Sequence, residues 1–109
     1  MKPVVGAFNG KTTFSVSLID NMPGLLDSGW FPLNGYHPVS IEIVGPSTGA
    51  KAQLWVSNSP STPTHNGVQV QGDFIEDIVV ALDVPVRWIK AKITQAGSFP
   101  SSVYLFGSS

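Results

Sequence analysis

Glycine and proline punctuate the whole chain and constrain its fold more than any other feature. The 109 residues include eleven glycines and nine prolines, spread from Pro3 to Gly107. Both residue types disfavour helix interiors, glycine because of its backbone entropy and proline because it lacks an N–H and its ring clashes with the preceding turn. Almost any helix longer than about ten residues would include one of them. We therefore expect a fold made of short strands and turns.

Apolar and polar side chains alternate along several segments, as they do on the two faces of a β-strand. Phe14, Val16 and Leu18 are separated by serines, for example. Turn-forming residues at 45–49 and 95–98 each lie between two alternating segments, and we expect a hairpin at each place. The further alternating segments are residues 39–43, 52–56, 68–71, 78–82, 89–94 and 103–106.

About seven or eight short strands separated by turns are typical of an antiparallel sandwich. We predict an all-β fold, an antiparallel β-sandwich of jelly-roll or Ig-like type, formed by residues 1–109 as a single domain. Residues 1–12 and 20–36 lack a clear period. We interpret the first segment as an N-terminal arm and the second as an arm or long loop that orders against neighbours.

The charge composition excludes several classes of partner. Only 12% of the residues are charged, and six Lys/Arg against seven Asp/Glu give a formal net charge of −1. Such a chain has no basic surface field to attract nucleic acid or an anionic membrane. No apolar run reaches the length of about 18 residues that predicts a membrane span. We therefore predict no nucleic-acid partner and no membrane partner.

The motifs associated with catalysis and cofactors are incomplete. Residues 6–12 are similar to a phosphate-binding loop, but three residues rather than four separate the glycines. The two histidines, His37 and His65, stand beside proline and in a turn sequence, away from any nucleophile motif. The acidic residues at 73–77 match no calcium loop, and the chain has no cysteine. We predict that the protein is not an enzyme and has no catalytic residues, no cofactor and no metal site.

Aromatic residues are abundant for so small a domain, with three tryptophans, two tyrosines and six phenylalanines. They could fill the core or a subunit contact, where aromatic side chains are frequent hot spots. Alternatively, tryptophans on one sheet face could stack on sugar rings. We favour core or interface and keep the sugar-binding interpretation as the alternative.

Four segments, taken in order, resemble small β-sandwich virion proteins of tailed bacteriophages. They are residues 39–45, 49–59, 85–94 and 102–107. The likeness extends over residues 39–106 and leaves the N-terminal third unmatched. Where members of that family often carry a charged Asp-Gly turn, this chain has a proline-containing loop at residues 58–65.

The resemblance implies a non-enzymatic structural protein of the virion, assembled in the host cytoplasm. In this interpretation the chain is a capsid decoration or cement protein that binds the major capsid protein or other virion proteins, as a homotrimer. A tail, adaptor or fibre-attachment component is one alternative, and a carbohydrate-binding β-sandwich module is another. The contact residues that we predict for the structural role are Val4, Val5, Phe8, Trp30, Phe31, Tyr36 and Trp55.

Overall fold

The computed structural model describes residues 3–8 and 11–108. This part of the chain forms ten strands, one short 3₁₀ helix (Pro46–Thr48) and no α-helix. The strands are β1 (Val4–Phe8), β2 (Lys11–Met22), β3 (Leu26–Asp27), β4 (Phe31–Pro32), β5 (Val39–Val44), β6 (Lys51–Ser57), β7 (Val68–Phe74), β8 (Ile78–Leu82), β9 (Trp88–Gln95) and β10 (Ser101–Ser108).

The strands form two antiparallel sheets. Sheet A has the order β1-β2-β10-β5-β8. Sheet B has the order β3-β9-β6-β7, and β4 also pairs with β9. The predicted antiparallel β-sandwich is confirmed.

The chain crosses between the sheets at most connections. From β2 in sheet A it passes to β3 and β4 in sheet B, returns to β5, and crosses again to β6. Strands β7 to β10 then alternate between sheets B and A. The resulting four-stranded sets, β2-β10-β5-β8 and β3-β9-β6-β7, have the connectivity of a jelly roll, with β1 added at one edge.

The core lies between the inner faces of the two sheets, and the predicted alternation determines its composition. Ile41, Ile43 and Val103 of sheet A are 0% exposed, as are Leu54 and Ile89 of sheet B. Burial of each such side chain contributes about 1.5–3 kcal/mol to folding. The apolar positions of the alternating segments therefore supply most of the stabilisation.

The two predicted hairpins are wrong. β5 and β6 lie in different sheets, and so do β9 and β10. In both cases the inward side chains of the two strands belong to the one core between the sheets. Between β5 and β6, Gly45 and Gly49 have φ values of 133° and 104° around the 3₁₀ helix and direct the chain away from sheet A.

The described parts of the segments predicted as an N-terminal arm and as an arm or long loop pair with strands of the two sheets. Residues 4–8 pair with residues 11–15 as an edge hairpin of sheet A. Residues 20–22 complete β2, and β3 and β4 pair with β9 along the edge of sheet B. Between β3 and β4, Ser28 continues the pairing: its N–H donates to Ala91 O, and its Oγ accepts from Ala91 N, both at 2.9 Å. The segment 20–36 therefore packs against strands of its own chain.

Candidate functional site

The outer face of sheet A carries large apolar side chains. This face is defined by two rows of residues that pair directly from strand to strand. One row contains Val4, Ser15, Phe106, Ser40 and Ala81, and the other contains Ser17, Tyr104, Glu42 and Val79. Val4 is 68% exposed, Val79 65% and Phe106 52%. Glu42 is the one charged residue in the two rows. We call this surface the apolar face.

A shallow depression of about 170 Å³ lies within the apolar face. Val4, Ser17 and Tyr104 line it, together with backbone and side chains of their neighbours on β2 and β10. Exposed aromatic and aliphatic side chains around a depression are typical of surfaces that bind other proteins.

The outer face of sheet B has a different chemistry, in which tryptophans pair with lysines. The Nζ of Lys90 lies 4.5 Å from the ring centroid of Trp30, and the Nζ of Lys92 lies 5.1 Å from that of Trp55. Lys90 is also directly opposite Trp55 across the strands and is only 6% exposed. Burial lowers the pKa of Lys90 from its ordinary value. The aromatic rings stabilise these ammonium groups by cation–π attraction.

Hydrogen bonds fix the ring of Trp55. Its Nε1 donates to Gln53 Oε1 at 3.0 Å, and Gln53 Nε2 donates to Asp73 Oδ1 at 2.8 Å. Gln69 Nε2 also donates to Asp73 Oδ1, at 3.1 Å. The hydrogen bond from Gln53, then that from Gln69, holds the pKa of Asp73 below its ordinary value. These contacts form a polar network along β6 and β7.

An open cleft of about 750 Å³ lies at one end of the sandwich, between the β4–β5, β6–β7 and β8–β9 loops. Its walls include Asn34, Pro60, Arg87 and Trp88. Trp88 is held in place because its Nε1 donates to Ser59 O at 3.0 Å. No His, Asp or Glu is among the described residues that line the cleft. It therefore lacks the side chains that usually act as general acid or base.

The predicted contact residues are divided between several regions. Val4 belongs to the apolar face, and Val5 is exposed on the other side of β1. Phe8 ends β1, but its side chain lies outside the described part of the chain. Trp30 and Trp55 are half-buried on the outer face of sheet B.

Two of the predicted contact residues pack against the core. Phe31 is 8% exposed and stacks with Phe14, with ring centroids 6.2 Å apart. It therefore offers almost no surface to a partner, because its alternating position on β4 points inward. Tyr36 is half-buried, and its ring centroid lies 4.4 Å from that of Phe14.

Sequence reasoning missed three members of the apolar face. Tyr104 and Phe106 alternate with the buried Val103 and Leu105, and this alternation is visible in the sequence. Val79 is opposite Glu42 on the neighbouring strand, a pairing that follows only from the sheet order. Tyr104 and Phe106 could therefore have been found, whereas their proximity to Val79 could not.

The part of the chain that the structure describes contains no group of three His, Asp or Glu side chains placed to hold a metal ion. No helix within that part is long and apolar enough to cross a membrane. Comparisons of this chain with family models, with characterised proteins and with solved structures found no match.

Proposed function

We propose that this protein is a non-enzymatic structural component of a bacteriophage virion, a decoration or cement protein that binds the major capsid protein. In this role it is a homotrimer that links neighbouring capsid subunits and resides in the assembled particle. The proposal combines the resemblance over residues 39–106 with the surface chemistry of sheet A.

The apolar face is the observation that carries the proposal. Val4, Val79, Tyr104 and Phe106 are exposed on two paired rows in which Glu42 is the one charged residue. Water-exposed apolar surface of this kind is stabilised when a partner covers it, at about 25 cal/mol per Å² of apolar area buried. A standard protein interface buries about 800 Å² on each partner. The outer face of a five-stranded sheet is a suitable platform for such a contact.

The fold is compatible with this role. Jelly rolls occur in viral capsid proteins, and also in lectins and other unrelated proteins. Because one fold serves many functions, the fold supports the proposal only together with the apolar face. A cement protein needs a rigid scaffold and repeated contacts, and many copies on one shell add their contributions through avidity.

The experiment is reconstitution on particles that lack the protein. Purified chain is added to such particles from the phage that encodes it, and bound protein is measured after sedimentation. We expect Phe106→Ser and Val79→Ser to weaken binding at least about tenfold, because each removes apolar area from the contact. Phe99→Ser is the matched control, since Phe99 is an exposed aromatic in the β9–β10 loop, outside the two rows that define the apolar face.

The same experiment distinguishes a protein of the phage head from a protein of the tail. Binding of the wild-type chain to heads, lost in the two apolar-face variants and kept in the control, is the expected result. Recovery of the protein with isolated tails instead would assign it to the tail, adaptor or fibre-attachment alternative. Equal binding of all variants, or absence of the chain from purified particles, would reject the proposal.

The carbohydrate-binding alternative rests on the tryptophans of sheet B. Trp30, Trp55 and Trp88 are all half-buried rather than fully buried, and Gln53 and Gln69 supply amides beside Trp55. The lysine ammonium groups compete with a sugar for the rings of Trp30 and Trp55, however. A glycan array on which the wild type binds and Trp55→Ala does not would favour this alternative.

A further inference from the structure

The two edges of sheet A are unprotected, whereas those of sheet B are protected. In sheet B, β3 and β4 cover one side of β9. At the other edge, β7 carries Asp73, and positive φ values at Gln71 and Gly72 accompany a break in its pairing register with β6. Charges, bulges and covering segments of this kind prevent edge-to-edge association.

The edge strands of sheet A are β1 and β8, and within the described part of the chain neither has a charge, a bulge or a covering segment. Both have five residues, both pair without a register shift, and neither contains a charge or a proline. Among the described residues, no strand pairs with the outer side of either one. Each edge therefore presents backbone N–H and C=O groups to a further strand.

The charges that flank the two edges are opposite in sign. Lys2 precedes β1 in the sequence, and Lys11 is paired with Phe8 at the other end of the same hairpin. Glu76 and Asp77 precede β8, and Asp83 follows it. β1 is thus flanked by lysines and β8 by carboxylates.

From these features we propose that β1 of one copy of this chain pairs with β8 of a second copy. Sheet A then continues from molecule to molecule, with its apolar side chains on one common face. Four antiparallel steps separate β1 from β8, so the two strands run in the same direction. A neighbouring copy in an equivalent orientation therefore adds its β1 parallel to β8, as in a mixed sheet.

Like charges oppose the symmetric arrangements. Pairing β1 with β1 of a second copy brings together two segments that Lys2 and Lys11 flank in the sequence, and pairing β8 with β8 brings together segments flanked by Glu76, Asp77 and Asp83. Opposed like charges disfavour both pairings, so the charge pattern selects β1 against β8. Such a head-to-tail contact forms a ring if the rotation closes and a filament if it does not.

This inference rests on the proposed function only for the number of copies, since a ring of three is the proposed homotrimer. The contact itself is tested on purified protein, and the cement role on particles. Failure of either experiment is therefore distinguishable from failure of the other.

The first test uses the absence of cysteine from the native chain. The variants are Val4→Cys and Val79→Cys, each of which places an exposed thiol on the outer face of sheet A. They are prepared separately, mixed and treated with a short bifunctional thiol reagent. We expect crosslinks between the two variants, and few within either variant alone. Phe99→Cys replaces Val79→Cys in the control mixture and should give only background crosslinking.

The second test reverses charges. We expect Glu76→Lys combined with Asp83→Lys to weaken self-association about tenfold, as measured by analytical ultracentrifugation. Lys2→Glu with Lys11→Glu should do the same. In a mixture of the two double variants, the β1 and β8 of unlike variants carry opposite flanking charges, so we expect heterodimers to form. Lys51→Glu, an exposed reversal at the start of β6, is the control. Asp77 is left unchanged because it holds the β5–β6 loop.

Three results would overturn the inference. The first is a wild-type chain that remains monomeric throughout the ultracentrifuge series. The second is crosslinking of Val4→Cys with itself as efficient as with Val79→Cys, which would indicate a symmetric contact. The third is failure of the mixed charge-reversed variants to form heterodimers.

Discussion

Asp77 anchors the loop that carries the chain from sheet A to sheet B. Its Oδ1 accepts from the N–H groups of Ser47 and Gly45, at 2.9 Å each, and its own N–H donates to Ser47 Oγ. The hydrogen bond from the Ser47 N–H is the main cause that holds the pKa of Asp77 below its ordinary value of 3.8. One carboxylate thus orders a turn that is distant in sequence.

The lowered pKa of Asp77 predicts how stability depends on pH. A carboxyl group whose pKa is lower in the folded state stabilises that state above its unfolded pKa, and this stabilisation is lost as the pH falls through the folded value. We expect Asp77→Asn to lower the free energy of unfolding at neutral pH, and the difference from wild type to vanish below the folded pKa. Urea unfolding at a series of pH values, followed by tryptophan fluorescence, measures this. Glu76→Gln is the control, and a difference that persists unchanged into acid would contradict the prediction.

Gly107 is required by close packing against an aromatic ring. It pairs with Phe14 across β2 and β10, and a Cβ at this position would lie 2.3 Å from Phe14 Cε1. Phe14 is buried and cannot move freely, because it contacts Phe31 and Tyr36. We expect Gly107→Ala to reduce the free energy of unfolding by about 1–3 kcal/mol. Urea unfolding should show a smaller loss for Gly107→Ala in a Phe14→Leu background, and an equal loss would argue against this clash.

At the scale of elements, β3 and β4 behave as one interrupted strand, with Ser28 as the link. The Oγ of Ser28 accepts from the N–H of Ala91, a residue that is fully buried on β9. Ser28→Ala leaves that N–H without its described partner, and we expect a loss of about 1–3 kcal/mol in the free energy of unfolding. Ser28→Thr keeps the hydroxyl and should lose less. Faster amide hydrogen exchange at Ala91 in the alanine variant alone would identify the broken bond, and unchanged exchange would contradict this role.

The elements also show where sequence reasoning succeeds and where it fails. The inward residues of β5 and β9 follow from alternation, since Ile41, Ile43, Ile89 and Ala91 are all fully buried as expected. Their partners do not follow, because alternation is the same whether a strand pairs with its neighbour in sequence or faces it across the core. The candidate surface shows the same division. The exposure of Tyr104 could be predicted from the alternation along β10. The position of Val79 on the same face follows only from the strand order of sheet A.

At the scale of the molecule, β1 is an addition to a sandwich that is complete without it. No residue of β1 belongs to the described core, and its pairing within the described chain is with β2. We expect deletion of residues 1–8 to preserve a cooperative unfolding transition and the β-sheet circular dichroism spectrum, while self-association is lost. The deletion ends before β2, because that strand pairs with β10 from Thr13 onward. Loss of the cooperative transition would show that β1 is part of the folding unit.

The sequence by itself determined the class of fold, the inward-facing residues of the alternating segments and the scarcity of charge. These properties depend on local composition and on the two-residue period of a strand, which hold whatever the topology. Only the tertiary structure decided which strands pair, that residues 26–32 cover β9, and that β1 and β8 form the two open edges of one sheet. Strand pairing is a contact between segments that are distant in sequence. Which strands pair depends on how all the apolar side chains pack into one core, and no single segment determines it.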